Sequence, residues 1–337
     1  MAIYPIILSA IGNKIYRGFS DDTTHTLIYT ASVGDDVKAI SNIGGGVVLA
    51  VTKSGALIKS VNEGLTFSTY STVPLDSGYE PFSLEFVEGN ILLCGLRDKI
   101  RRSTDLGLNW TTVMDFSAVA PAYNDQERIN EIKHIGGGIV LASLYRDNPN
   151  YTAMPSRDFR STDHGATFSY PSFDTPLRGK MDLLSSGRIV AAGAENMMSG
   201  VDERSFYSDN NGQTWAGISL PSWTPLDYTW GISIAASSLK ILLLGMDESN
   251  DIQMALSSDN GLSYSLLGSP WTKIANDPAI QGDMVYATGN IFLAGTTGLH
   301  RTTDNGATWA DVVGPDQSDI LFDIETMPKS RIFGLLI

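Results

Sequence analysis

The chain holds one cysteine, Cys94, in 337 residues. A lone thiol excludes an internal disulfide framework. Cys94 lies in the apolar run ILLCG, where it reads as a small buried hydrophobe rather than a nucleophile. Basic residues are scarce: 23 Lys and Arg stand against 37 Asp and Glu, a formal charge of −14. An acidic chain with no Lys/Arg run repels phosphate backbones, so nucleic acid is not an expected partner. No stretch approaches the length of a membrane span, so membrane insertion is not expected. The start, MAIYPIILSA, lacks the basic region and long apolar core of a signal peptide. The expected setting is the cytoplasm, or a virion released by lysis. There are four histidines, His25, His134, His164 and His300, and no pair has metal-ligand spacing. No metal or cofactor is therefore expected. Helical periodicity with caps is missing throughout.

What the sequence does have is a repeat. The pattern is Ser/Thr, any residue, Asp/Asn, any residue, Gly, any residue, Thr/Ser, aromatic. It reads SVNEGLTF from Ser60, STDLGLNW from Ser103, STDHGATF from Ser161, SDNNGQTW from Ser208, SSDNGLSY from Ser257 and TTDNGATW from Thr302. Asn109 replaces the Thr/Ser in the second copy. A decayed copy, SDDTTHTL, starts at Ser20, with Thr24 in place of Gly and Leu27 in place of the aromatic. Around each box the sequence reads as four short strands, as in VKAISNI, GGGVVLAV, GALIKS and TFSTYS. The second strand is nearly pure hydrocarbon in every repeat: VVLAV, ILLCG, IVLAS, IVAAG, ILLLG and IFLAG. A strand apolar on both sides is buried on both faces, so each small sheet is sandwiched between neighbours. Four strands in about 40–50 residues fit the blades of an all-β propeller, one domain over 1–337.

The blade count is seven if the decayed copy counts and six otherwise. Seven is the better fit, because NKIYRGFSDDTTHTLIYT supplies a third and fourth strand and ILFDIETMPKSRIFGLLI supplies strands with no box after them. The two ends complete one blade together, which ties both down. One strand is then surplus, because IILSAI and RIFGLLI both look like the second strand of that blade.

Each box residue has a folding role. Asp and Asn accept hydrogen bonds from the turn backbone, Gly reaches a backbone angle that strains other residues, and the aromatic buries a large area. The pattern resembles the Asp-box, or BNR, repeat family, through six good boxes over essentially the whole chain. The resemblance implies that the boxes are structural and sit away from the ligand face. It assigns that role to Asp105, Asp163, Asn210, Asp259 and Asp304, to Gly107, Gly165, Gly212, Gly261 and Gly306, and to Trp110, Trp215 and Trp309. Asp-box propellers include sialidases, other glycosidases, sortilin-like receptors, photosystem II assembly factors and phage virion proteins, so the resemblance fixes fold rather than function. The sialidase F/Y-R-I-P motif is missing; the nearest string is IYRGF, with Arg17. The GW-x-V-G string of the photosystem assembly factors is missing too.

In a four-stranded meander the box turns share one face with the first-to-second-strand turns. The opposite face carries the long loops, such as LYRDNPNYTAMPSRD from Leu144 and LPSWTPLDYTW from Leu220. Long loops on a rigid scaffold are where binding tends to reside. They bring Tyr123, Tyr145, Tyr151, Trp223, Tyr228, Trp230 and Trp271 together with Arg128 and Arg146, a set suited to sugar rings or to a protein interface. On or near the first strands lie Glu85, Glu131, Asp182, Asp283 and Asp323, the candidates for a glycosidase carboxylate pair; as a default they are solvated channel linings. The reading favoured is a non-catalytic binding or structural propeller, as on a phage or virion, engaging a glycan or protein and able to join a larger assembly. The alternatives are a glycoside hydrolase using channel carboxylates and an intracellular assembly factor.

Overall fold

The computed structural model describes residues 4–76, 78–115, 127–146, 157–169, 177–193, 203–219, 230–237, 240–246, 252–268 and 282–327. These form seven antiparallel sheets, and the described residues contain no helix. Blade 1 comprises β1 (Ile6–Ile11), β2 (Lys14–Phe19) and β3 (Thr26–Thr30). Blade 2 is β4 (Val37–Gly44), β5 (Val47–Thr52), β6 (Ala56–Ser60) and β7 (Ser68–Thr72). Blade 3 is β8 (Ser83–Phe86), β9 (Leu92–Gly95), β10 (Lys99–Ser103) and β11 (Thr111–Asp115). Blade 4 is β12 (Glu127–Gly136), β13 (Ile139–Arg146) and β14 (Arg157–Ser161), with an Arg160–Ser169 bridge where a fourth strand would lie. Blade 5 is β15 (Leu177–Leu183), β16 (Ile189–Gly193), β17 (Glu203–Ser208) and β18 (Ala216–Ser219). Blade 6 is β19 (Trp230–Ala236), β20 (Ile241–Met246), β21 (Ile252–Ser257) and β22 (Ser265–Gly268). Blade 7 is β23 (Asp283–Thr288), β24 (Ile291–Gly295), β25 (His300–Thr302) and β26 (Ala310–Asp311).

The last strand, β27 (Leu321–Met327), returns to blade 1, whose order is β27-β1-β2-β3. Ile6 pairs with Met327 and Ala10 with Asp323. IILSAI is therefore the second strand of the closing blade, and RIFGLLI lies outside the described residues. The decay of the first box has a cause in this closure. Its turn is spent on blade 7: His25 N–H donates to Val313 O at 2.8 Å and Val313 N–H to Thr23 O at 2.9 Å. His25 in that turn is 1% exposed: its ring packs against Gly18 and its backbone against Gly314.

The core explains why the second strands are hydrocarbon. Seven apolar clusters each fill one junction between neighbouring blades. On β5, Val48 and Ala50 pack toward blade 1, while Leu49 and Val51 pack toward blade 3. Alternation by two thus serves two different cores from one strand, and all four residues are fully buried. Cys94 sits in the junction of blades 2 and 3 and is fully buried.

Candidate functional site

The seven innermost strands, β4, β8, β12, β15, β19, β23 and β27, surround a central cavity of about 280 Å³. Six carboxylates line it: Glu85, Glu131, Asp182, Asp283, Asp323 and Glu325. Two lysines, Lys133 and Lys180, stand among them. The five acids expected at the channel from sequence are all there. Glu325 and both lysines were missed, although period-two alternation in FDIET, EIKH and KMD marks them as facing the same way as Asp323, Glu131 and Asp182.

Lys180 Nζ lies 3.2 Å from Asp323 and 3.7 Å from Asp283, and Lys133 Nζ lies 3.7 Å from Asp182. Burial works against the charge on each lysine, but the surrounding carboxylates more than offset it, so both ammonium groups are held above the usual lysine range. The acids are driven the other way. Burial pushes Glu85 up to about 7, and Glu131 and Glu325 up to about 8. Asp283 is also raised by burial, with its neighbour Asp323 adding to the effect.

The arrangement of these acids is a ring of clasps. An innermost strand has no strand on its channel side, so its N–H groups there need acceptors. Asp323 of β27 accepts Ile40 N–H of β4 at 2.7 Å. Ser41 Oγ of β4 accepts Phe86 N–H of β8 at 3.0 Å. Glu85 of β8 accepts His134 N–H of β12 at 2.7 Å, and Glu131 of β12 accepts Met181 N–H of β15. Asp182 of β15 accepts Ala236 N–H of β19 at 2.8 Å. Ser233 Oγ of β19 donates to Asp283 of β23 at 3.0 Å, and Asp283 accepts Ile324 N–H of β27 at 2.9 Å. The circuit returns to its start: six junctions have a side-chain acceptor for a neighbouring N–H, and the β19–β23 junction has the hydroxyl-to-carboxylate bond. Glu325 stands outside it: among the described residues its side chain accepts only its neighbour's Thr326 N–H, at 3.1 Å.

A second ring runs near the boxes. Arg17, Arg102, Arg160, Arg188 and Arg301 each donate to a backbone carbonyl in the box turn of the next blade: Glu63, His164, Asn211, Asn260 and Ser20 respectively, at 2.7–3.0 Å. The strings RSTD and RTTD carry the sequence signal for three of these. Arg188 takes the role in blade 5, where Tyr207 precedes the box; it stacks on that ring at 4.3 Å and forks onto Asp209.

The boxes themselves are built as their residues dictate. In the fourth-blade box, Ser161 Oγ accepts Gly165 N–H at 2.9 Å and donates to Asp163 at 2.7 Å. Asp163 also accepts the N–H and hydroxyl of Thr167, at 2.9 and 2.7 Å. Asp105, Asn210, Asp259 and Asp304 repeat this pattern. These donors hold Asp105 and Asp259 at about 2. The residue before each box glycine also has a positive φ, from 57° at Leu106 to 61° at Asn260. Trp110 and Trp309 donate to Gly107 O and Gly306 O. The box turn bonds to the first-to-second-strand turn of its own blade, as in His164 N–H to Gly138 O at 2.9 Å, so the two share a face.

Of the loop-face set, Tyr123, Tyr151, Trp223, Tyr228 and Trp271 lie outside the described residues. Tyr145 and Arg146 end β13 and Trp230 begins β19. Arg128 pairs with Tyr145 at the end of blade 4 opposite its box turn. Its side chain is 6% exposed, with the guanidinium 5.3 Å from the Phe82 ring centroid.

Comparison with known proteins agrees with this geometry. Residues 206–216 match the BNR/Asp-box repeat model. No curated protein matches the chain significantly. Among solved structures, the GH74 xyloglucanase from Xanthomonas campestris aligns with a TM-score of 0.68 at 16% identity, over 91% of this chain and 52% of that one. This chain therefore spans about half the length of that enzyme. YCF48 bound to D1 peptide aligns with a TM-score of 0.54 at 17% identity, over 83% and 82% of the two chains. A protein from Lactobacillus plantarum aligns at 0.61 and 10% identity, over 97% and 100%. The chain is a seven-bladed β-propeller built on Asp-box turns. At these identities the likeness concerns the fold.

Proposed function

We propose that this propeller is a non-catalytic binding module whose partner is a protein or a glycan. The observation that carries the reading is the clasp ring. A glycosidase needs two carboxylates free to act as acid and as base or nucleophile. Glu85, Glu131, Asp182, Asp283 and Asp323 each already bond the next blade. Their engagement is structural, and replacing them disturbs blade packing before chemistry. The contact surface in this reading is the long-loop face, with Tyr123, Tyr145, Tyr151, Trp223, Tyr228, Trp230 and Trp271 as aromatic anchors and Arg146 as a charged one. Both partner types have precedent in the fold: YCF48 is found bound to D1 peptide, and the GH74 protein is a xyloglucanase. A virion surface or an intracellular assembly is the setting such a module suits.

The competing reading, a glycoside hydrolase, has one observation in its favour. Glu325 stands outside the clasp ring, and burial with the neighbouring carboxylates pushes its carboxyl up to about 8, the direction a general acid needs. The test is direct. A glycan array and pull-down against candidate host proteins are run with the parent and with Trp223→Ala/Trp230→Ala, alongside turnover of chromogenic glycosides. Binding lost in the double variant, with no turnover, supports the module. Turnover abolished by Glu325→Gln, in a variant that still folds, replaces it with the enzyme.

A further inference from the structure

We propose that the carboxylate ring of the central channel is a pH-sensitive latch, which holds the seven blades together more firmly at mildly acidic pH than at alkaline pH. The geometry is a closed circuit of buried and partly buried bonds around one cavity of about 280 Å³. Six carboxylates and two lysines face that cavity: Glu85 from β8, Glu131 and Lys133 from β12, Lys180 and Asp182 from β15, Asp283 from β23, Asp323 and Glu325 from β27. Tyr286 of β23 is the other titratable side chain lining it. From β4 and β19 the lining is Ala39, Ile40, Ile234 and Ala236, without charge. Lys38 of β4 is turned elsewhere, to Glu80 and the Phe322 ring.

With every acid ionised, six negative charges share this space with two positive ones, in surroundings that screen them weakly. A protonated carboxyl still has a carbonyl oxygen, so it can accept the next blade's N–H without adding charge. Protonation therefore relieves repulsion and leaves the clasp intact. The directions of the shifts agree: Glu85, Glu131, Asp283 and Glu325 all hold protons more tightly in the folded chain than in an unfolded one. The folded state then binds more protons, and stability falls as pH climbs from the unfolded carboxylate range through about 8.

The test follows thermal unfolding of the full chain from pH 6.5 to 8.5. The expected result is a fall in melting temperature of about 5 °C for the parent. Glu131→Gln keeps an oxygen for Met181 N–H and removes one charge, so its profile is flatter and its melting point at pH 8.5 is higher than the parent's. Glu325→Gln, which takes no part in the clasps, flattens the profile in the same sense and serves if Glu131→Gln does not fold. Lys180→Met steepens it. A parent profile that is level or rises with pH overturns the latch, as do Gln variants whose profiles run parallel to the parent's.

Discussion

Two glycines of blade 4 separate two roles that the box glycine could play. Gly165, in the box, has φ of 73°, and Gly137, in the first-to-second-strand turn, has φ of 60°. An alanine at either position takes on the left-handed penalty, about 1 kcal/mol. Their surroundings differ. A Cβ on Gly137 meets nothing within 4 Å, while one on Gly165 falls 2.6 Å from Leu93 Cδ1 and 2.9 Å from Cδ2. Leu93 is fully buried in the junction between blades 3 and 4, so it cannot swing into open space. Overpacking of that kind costs about 1–3 kcal/mol. The expected losses are thus about 1 kcal/mol for Gly137→Ala and about 2–4 kcal/mol for Gly165→Ala. Urea unfolding of both variants, with unchanged slopes, measures them. Equal losses would refute the claim that the box glycine is a seat for the preceding blade and leave it only a turn former.

Three further outcomes follow from single contacts. Trp110 Nε1 donates to Gly107 O at 3.0 Å, whereas Trp215 Nε1 has no partner among the described residues. Trp110→Phe is therefore expected to lose about 1 kcal/mol in a denaturant titration and Trp215→Phe close to nothing from hydrogen bonding. Both rings are half-buried, so truncation to Ala falls below the 3–5 kcal/mol of a fully buried Trp. Arg188→Ala is expected to cost about 1–2 kcal/mol, and Arg188→Lys to recover little of it, because a lysine cannot fork onto Asp209 and reach Asn260 O together. Burial raises the Cys94 thiol to about 12, so a thiol reagent at pH 8 is expected to label it only at the rate of unfolding.

Much of the fold was legible because two periodicities coincide. The box marks one turn per blade, and the all-apolar second strand marks a sheet covered on both faces. Together they give strand order and packing direction without any long-range information. The closing blade was harder. IILSAI and RIFGLLI have the same apolar character, and only pairing decides between them: Ile6–Ile11 runs between Lys14–Phe19 and Leu321–Met327. The decay of the first box was visible as a missing Gly. Its reason was not, because the bonds from His25 and Thr23 go to Val313, nearly the whole chain away in sequence.

The channel acids show where reading by residue type reaches its limit. Asp or Glu on an inner strand satisfies two different demands, and composition does not distinguish them. One is a carboxylate for chemistry; the other is an acceptor long enough to reach an N–H on a strand that splays away. The structure separates them by continuity. Ser41 stands in the same circuit as the acids, accepting Phe86 N–H at a junction where a hydroxyl spans the gap. A catalytic demand would not accept serine there, whereas a bonding demand does. The substitution of type within an unbroken circuit identifies the role as blade-to-blade closure, and it singles out Glu325 as the channel carboxylate whose presence closure does not explain.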